Sequence, residues 1–304
     1  MTDPVIGSHE RDLVGYGQDE PVVRWPEDAL VALNLVVNYE EGSEYSFPLG
    51  DGQNEKHGGE EEYPYPEGVR DLAQESVFEY GSRVGIWRLM RLFDEYDIPV
   101  TFSACALAFE LNPAVAKAAR EAGHDLLSHG WRWEEHWRLS RDEERDHIRR
   151  AVESFTKTWG ERPYGYYCRY GPSVNTRELV IEEGGFLYDG DAYNDDYPYF
   201  VKVGDHDQLV VPYSLTYNDL QGSRTPGDML EYCRRALDEL WLEGERGHPK
   251  MMSVGLHPRM IGQAARTGAL REFIEHAQSK GRVWSARRLD IAKWWLDHHQ
   301  EFVQ

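Results

Sequence analysis

Apolar residues along this chain fall into two alternating patterns. Short continuous runs occupy 29–37, 100–104, 125–128, 185–188, 209–213, 251–256 and 283–285, each of strand length. Between several of them, apolar positions recur every three or four residues, the spacing of one helix face. The stretch 81–96 places Val84, Trp87, Leu89, Leu92 and Phe93 close to one face, and Pro113 opens a helix over 112–122. Ser140-Arg141-Asp142-Glu143 has the spacing of a capping box at the start of 140–159. Thr225-Pro226-Gly227-Asp228 introduces a helix over 229–242, and helical patterns over 267–279 and 286–298 close the chain. Strands alternating with helices predict an α/β fold with a mainly parallel sheet covered by helices. About seven repeats without a glycine-rich phosphate loop favour a closed or nearly closed barrel, a distorted TIM-like (β/α)7–8 arrangement, over an open doubly wound sheet.

Two stretches break the rhythm. Residues 42–65 are acidic and rich in Gly and Pro, and 189–207 are dense in Asp and Tyr. Long connections of this kind in a compact fold are usually functional or face a partner. No linker, repeat or shift of composition marks a second unit, so residues 1–304 read as one domain carrying two loop insertions.

Composition then narrows the classes of function. Hydrophobic residues make up 40% of the chain and aromatics 12%, a globular composition. The net charge of −21 sets up a field that repels nucleic acid and anionic membranes, so neither is expected as a partner. No apolar run reaches the ~18 residues of a spanning helix, and the N-terminus lacks the pattern of an export signal, which makes cytoplasm the expected compartment. Cys105, Cys168 and Cys233 are odd in number and have no CxxC spacing, arguing against a zinc or redox pair.

In barrels the chemistry gathers at the C-terminal ends of the strands. The polar residues there are Asn38-Tyr39-Glu40-Glu41, Ser128-His129, Tyr167-Cys168-Arg169-Tyr170, Asp189-Gly190-Asp191, and His257-Pro258-Arg259. Carboxylates, two histidines and arginines converging on one mouth describe an acid/base site and not a cofactor cradle. Bland readings stand beside the functional ones. Glu40 and Glu41 would serve as a solvated loop pair, His129 as a core histidine bonded to backbone, and Arg259 as a neutraliser of an acidic loop. The Trp131, Trp133 and Trp137 cluster would be packing or an oligomer contact. The Asp195-Asp196 run lacks the alternating spacing of a calcium loop.

The order and content of five motifs resemble the polysaccharide deacetylase superfamily, carbohydrate esterase family 4, with its NodB-homology barrel. They are Asn38-Tyr39-Glu40-Glu41-Gly42, Glu79-Tyr80-Gly81-Ser82-Arg83-Val84-Gly85, Ser128-His129-Gly130-Trp131-Arg132-Trp133, Gly184-Gly185-Phe186-Leu187-Tyr188-Asp189 and Gly255-Leu256-His257-Pro258-Arg259. Within the superfamily the chain looks most like the branch of metal-independent allantoinases and peptidoglycan-deacetylase-like proteins. The resemblance implies that Glu40 is the general base and His257 the general acid. It places Glu41 and His129 at metal-ligand positions, but the second metal histidine of the family is Trp133 here. Trp133 offers only an N–H donor, and catalytic zinc usually takes three protein ligands, so no cofactor is expected. Were zinc or another divalent ion bound, Glu41 and His129 would hold it, with His136 as a further ligand if its loop folded back.

Without a metal, the substrate and its oxyanion would fall to Tyr39, His129, Arg132, Trp133, Arg169 and Arg259. The sequence departs from the branch at Cys168-Arg169-Tyr170 and at Gln263-Ala264-Ala265. The expected activity is hydrolysis of a carbon–nitrogen bond in a small linear or cyclic amide, with allantoin as the leading substrate. The alternatives are a metal-dependent N-deacetylase of polysaccharide or peptidoglycan, and a catalytically inactive relative that binds a ligand. Relatives of the branch form homotetramers, so the resemblance also implies a homo-oligomer.

Overall fold

A computed structural model of the protein describes residues 11–59, 65–220 and 225–302. Among these, nine strands form one curled sheet: β1 (Val31–Tyr39), β2 (Thr101–Ala104), β3 (Asp125–Ser128), β4 (Gly165–Tyr166), β5 (Tyr188–Asp189), β6 (Tyr199–Val203), β7 (His206–Val210), β8 (Lys250–Leu256) and β9 (Val283–Ser285). The order is β6-β7-β5-β4-β3-β2-β1-β8, with β9 paired to the start of β1. Every pairing is parallel except the β6–β7 hairpin. The helices are α1 (Leu72–Tyr80), α2 (Ile86–Glu95), α3 (Ala106–Leu111), α4 (Pro113–Glu121), α5 (Arg141–Thr158), α6 (Thr176–Glu183), α7 (Pro226–Glu245), α8 (Ala264–Lys280) and α9 (Arg288–Phe302).

The central strand shows why the chain folds this way. All nine residues of β1 are buried, and their side chains alternate between two cores. Val31, Leu33, Leu35, Val37 and Tyr39 pack outward into the helix layer with Leu89, Phe93 and Phe273. Ala32 and Val36 point into the barrel beside Leu127, Tyr188, Leu209 and Met251. A strand buried on both faces reads as a continuous apolar run, which is how 29–37 reads in the sequence. Deep in the barrel, Asn34 donates to Met252 O at 3.1 Å, and the buried Arg288 donates to Ser253 Oγ at 2.9 Å and to the carbonyl of Val211.

Local chemistry sets the helix starts. Ser140 and Glu143 form the expected capping box on α5, and Thr225 and Asp228 form a second on α7 behind Pro226. Asp71 caps α1 by accepting from the amides of Ala73 and Gln74.

Four features depart from the sequence reading. The single helix expected over 81–96 is interrupted by a π-turn at Gly81–Gly85. The strand expected over 185–188 is cut to Tyr188–Asp189, because Gly184 and Gly185 take positive φ values of 72° and 74°. Part of the 189–207 insertion is itself sheet: β6 turns at Gly204 (φ 58°) into β7. The barrel is also not closed by strand pairing among the described residues. The outer edge of β8 meets Asp196 O, which accepts from Met251 N at 3.1 Å, and a lone bridge from Asn218 to Gly255. Among the described residues no helix is long and apolar enough to cross a membrane.

Candidate active site

The C-terminal ends of β1, β3 and β8 deliver Glu40, His129 and His257 to one point, because each residue directly follows a parallel strand in register with its neighbours. Glu40 is 1% exposed. Its Oε1 faces His129 Nε2 at 3.2 Å and His257 Nε2 at 3.6 Å, and its Oε2 accepts from Arg259 Nη2 at 2.7 Å. Burial opposes ionisation of Glu40, but Arg259, His257 and His129 together outweigh it and hold the carboxyl well below the ordinary range.

The two histidines are oriented by different partners. His129 Nδ1 lies 2.7 Å from Tyr167 O, which can only accept, so Nδ1 donates there while Nε2 is turned to Glu40. Its ring stacks on Tyr167 with centroids 5.1 Å apart. His257 Nδ1 lies 2.5 Å from Asp219 Oδ1, while Asp219 Oδ2 accepts from the amides of His257 at 2.7 Å and Ile261 at 3.2 Å. Burial disfavours the imidazolium, yet Asp219 and Glu40 prevail and push the His257 pKa up to about 9. At neutral pH the site therefore holds a carboxylate base beside a cationic acid, two titratable groups driven apart by their surroundings.

These groups form the floor of a cavity of about 280 Å³. Trp133, Tyr167, Arg169 and Tyr170 make one wall, Leu215, Asn218 and Leu220 another, and His57, Gly58 and Gly59 of the first insertion a third. Asn38 also lines it, fixed by donation of its amide to Tyr213 Oη at 2.9 Å. The Trp133 indole meets two guanidiniums, with Arg169 Cζ 3.7 Å and Arg259 Cζ 5.1 Å from the ring centre.

Several expected site residues lie elsewhere. Tyr39 sits on the helix-facing side of β1, its hydroxyl 2.8 Å from Ser82 Oγ, because odd positions of β1 point outward. Arg132 is held away from the cavity by a two-pronged pair with Asp51 at 2.9 and 2.6 Å. His136 is buried against Glu144, 3.2 Å from its Oε1, and does not fold back towards His129. Trp131 packs under Arg150, and Trp137 is about half exposed beyond the cavity wall. Arg169 does line the cavity, but it is bound to Glu55 and not free to meet an oxyanion. Arg259 is fully buried against Glu40, a partner of the base and not a lining residue. The Cys168 thiol is buried, and desolvation together with Asp191 pushes its pKa well up, which removes it as a nucleophile.

The donor set does not fit a catalytic divalent ion. Glu41 Oε2 is spent on the amide of Glu40 at 2.9 Å, and burial, the leading influence, pushes its carboxyl up to about 7. The charge demand of Glu40 is already met by Arg259, and Trp133 has no lone pair to give. Glu40, His129 and His257 do meet, but Glu40 is tied to Arg259 and His257 is held cationic by Asp219 and Glu40, so among the described residues no group of three or more His, Cys, Asp or Glu is placed to hold a metal ion.

Sequence reasoning missed Asp219 and Glu55, the partners of His257 and Arg169, because each lies in a loop with no strand directly before it. The acidic, Gly-rich character of 42–65 is the one signal that pointed towards Glu55.

Comparison with known proteins places the chain and its fold. Residues 75–188 match the family model for polysaccharide deacetylase. A Schizosaccharomyces pombe protein named "Putative polysaccharide deacetylase" is 39% identical over 313 residues, covering 95% of this chain and 98% of the relative. The crystal structure of a "probable Polysaccharide deacetylase" from Pseudomonas aeruginosa PAO1 superposes with a TM-score of 0.90 at 44% identity, over 96% of this chain and 99% of the other. The crystal structure of Puue allantoinase does so with a TM-score of 0.91, also at 44% identity and with the same coverage. The chain belongs to the polysaccharide deacetylase family.

Proposed function

We propose that this protein hydrolyses a carbon–nitrogen bond of a small amide without a bound metal, and that its substrate is a cyclic ureide of the allantoin type. The observation that carries this reading is the Glu40–His257 pair, base and cationic acid 3.6 Å apart on the floor of a small cavity. Ionised Glu40 takes a proton from a water as the water attacks the carbonyl carbon. The negative charge of the tetrahedral intermediate is met by the positive field of His257 and Arg259. His257 Nε2 then gives its proton to the departing nitrogen, and the C–N bond breaks. A ureide carbonyl flanked by nitrogens that draw electrons away is more electrophilic than a plain acetamide, which suits a site whose base is held strongly ionised. The likeness to Puue allantoinase at 44% identity supports the ureide.

Family membership favours a second reading, N-deacetylation of sugar chains. A panel of allantoin, other cyclic ureides and N-acetylated sugars, run with and without chelator, separates the two. The expected result is chelator-resistant ureide hydrolysis that falls by about 100-fold or more in Glu40→Gln and in His257→Ala. Activity confined to N-acetyl sugars and abolished by chelator would sink the ureide assignment.

A further inference from the structure

The 42–59 part of the first insertion folds over the mouth and is pinned from several sides. Arg169, three residues beyond the short β4, makes a two-pronged pair with Glu55 at 2.7 and 3.0 Å, and both side chains are almost wholly buried. Glu55 Oε1 also accepts from the amides of Lys56 and His57 at 3.0 Å each, so the same carboxylate orders the backbone that lines the cavity. Arg259 Nε donates to Gly58 O at 2.6 Å, and Gln74 of α1 donates to His57 O at 3.0 Å. Gly58 has a φ of 87°, and a Cβ there would lie 2.7 Å from Arg259 Nη2 and 3.2 Å from Trp133. Only a glycine lets this strand of backbone approach the two side chains so closely.

We propose that residues 55–59 form a size-selecting cap, pinned by the Glu55–Arg169 pair, that restricts the site to small compact amides. The pin acts at a distance from the reacting atoms: Arg169 contacts Glu55, Glu135, Trp133 and Tyr170, and among the described residues no hydrogen bond or ion pair joins it to Glu40 or His257. Arg169 and Glu55 are thus positioning residues. The fork of a guanidinium on a carboxylate fixes the cap in orientation as well as in distance, which a point charge would not do. The size claim rests on the ureide reading above; the pinning claim does not.

Lys56, the second residue of the cap, is exposed, so trypsin reports its opening without any turnover. Cleavage after Lys56 is followed by mass spectrometry in the parent, in Glu55→Gln, and in Glu55→Gln/Arg169→Met, which leaves neither charge buried alone. Where opening is fast relative to cutting, the rate follows the open population, and an increase of about tenfold or more is expected in both variants. In parallel, the ratio of kcat/KM for allantoin to that for an N-benzylated allantoin is expected to fall by about tenfold in the variants, with the loss mainly in KM. Unchanged cleavage after Lys56 in a folded double variant overturns the pin. Faster cleavage with an unchanged ratio overturns the size role. A parent that hydrolyses no ureide at all overturns the function proposed above, while the cleavage rates still judge the cap.

Discussion

His257 depends on Asp219 in a way that kinetics can read. Asp219 Oδ1 accepts from His257 Nδ1 at 2.5 Å and Oδ2 from the backbone amide of the same residue, fixing both the proton on Nδ1 and the ring. It is the leading reason that the His257 pKa rises to about 9 against the cost of burial. In the proposed mechanism His257 acts as general acid and must be protonated, so kcat/KM should fall above pH ~9 as it loses its proton. In Asp219→Asn the carboxylate charge is gone, and the alkaline limb should move down towards the ordinary histidine value near ~6.5. An alkaline limb that stays in place would remove His257 from the acid role. Arg259 makes a companion case. It is the only guanidinium within hydrogen-bond distance of Glu40 among the described residues, and Arg259→Met leaves that carboxylate buried with its main cation gone. Breaking one side of a buried pair costs about 3–5 kcal/mol, and urea unfolding should register a loss of that size. Arg259→Lys should recover only part of it, because an ammonium cannot bond Glu40 and Gly58 O in the same fork.

Between residue and whole, the π-turn at Gly81–Gly85 decides where Arg259 sits. An added Cβ at Gly85 would lie 2.1 Å from Pro258 O, and one at Gly81 would lie 2.9 Å from the Arg259 amide and 2.3 Å from Glu41 Oε1. Helix and strand end thus touch through backbone, and the turn that carries Arg259 rests directly on the π-turn. Gly85→Ala, although it favours helix intrinsically, should therefore destabilise the fold by about 1–3 kcal/mol through overpacking. It should also lower kcat by displacing the 258–262 turn. Thermal unfolding and steady-state kinetics on the same preparation check both, and a stabilised, fully active variant would refute the close approach.

The same element shows what the sequence makes legible. The apolar spacing over 81–96 announces a helix, but nothing in it announces a π-turn, which packs backbone to backbone against Pro258, far away in the chain. The long strands are readable because β1 and β8 are buried along their whole length and so are mostly apolar. The two-residue β4 leaves no such trace, and β5 shows only through the run that ends at Tyr188. Glu40, His129 and His257 were readable for a related reason, since each ends a strand that can be recognised. Glu55, Asp219 and the turning away of Arg132 depend on where loops cross the mouth, and loop paths are set by tertiary contacts that local pattern does not encode.

For the molecule as a whole, the buried charge cluster couples stability to pH. His257 has its folded pKa raised from 6.5 to about 9, so the stability it contributes is fully present below pH 6.5 and is lost as pH rises through about 9. Glu41 is raised from 4.5 to about 7, chiefly by burial, so ionising it costs stability as pH rises across that interval. Glu40 acts in the opposite sense: its depressed value gives stability above pH 4.5 that is lost as pH falls through its folded value. The net charge of −21 adds self-repulsion on the alkaline side, which salt screens. Stability should therefore be greatest in mildly acidic solution and decline by a few kcal/mol between pH ~6.5 and ~9.5. Added salt should soften only the part of this decline that arises from surface repulsion, because the Glu40–His257–Asp219 group is buried. Asp219→Asn should start lower at pH 6.5, since its histidine has lost its carboxylate, and should decline less steeply across the same interval. Unfolding midpoints of the two proteins at several pH values and two salt concentrations test this directly. Parallel curves for parent and variant would mean that His257 is not the cation on which both the chemistry and the fold are built.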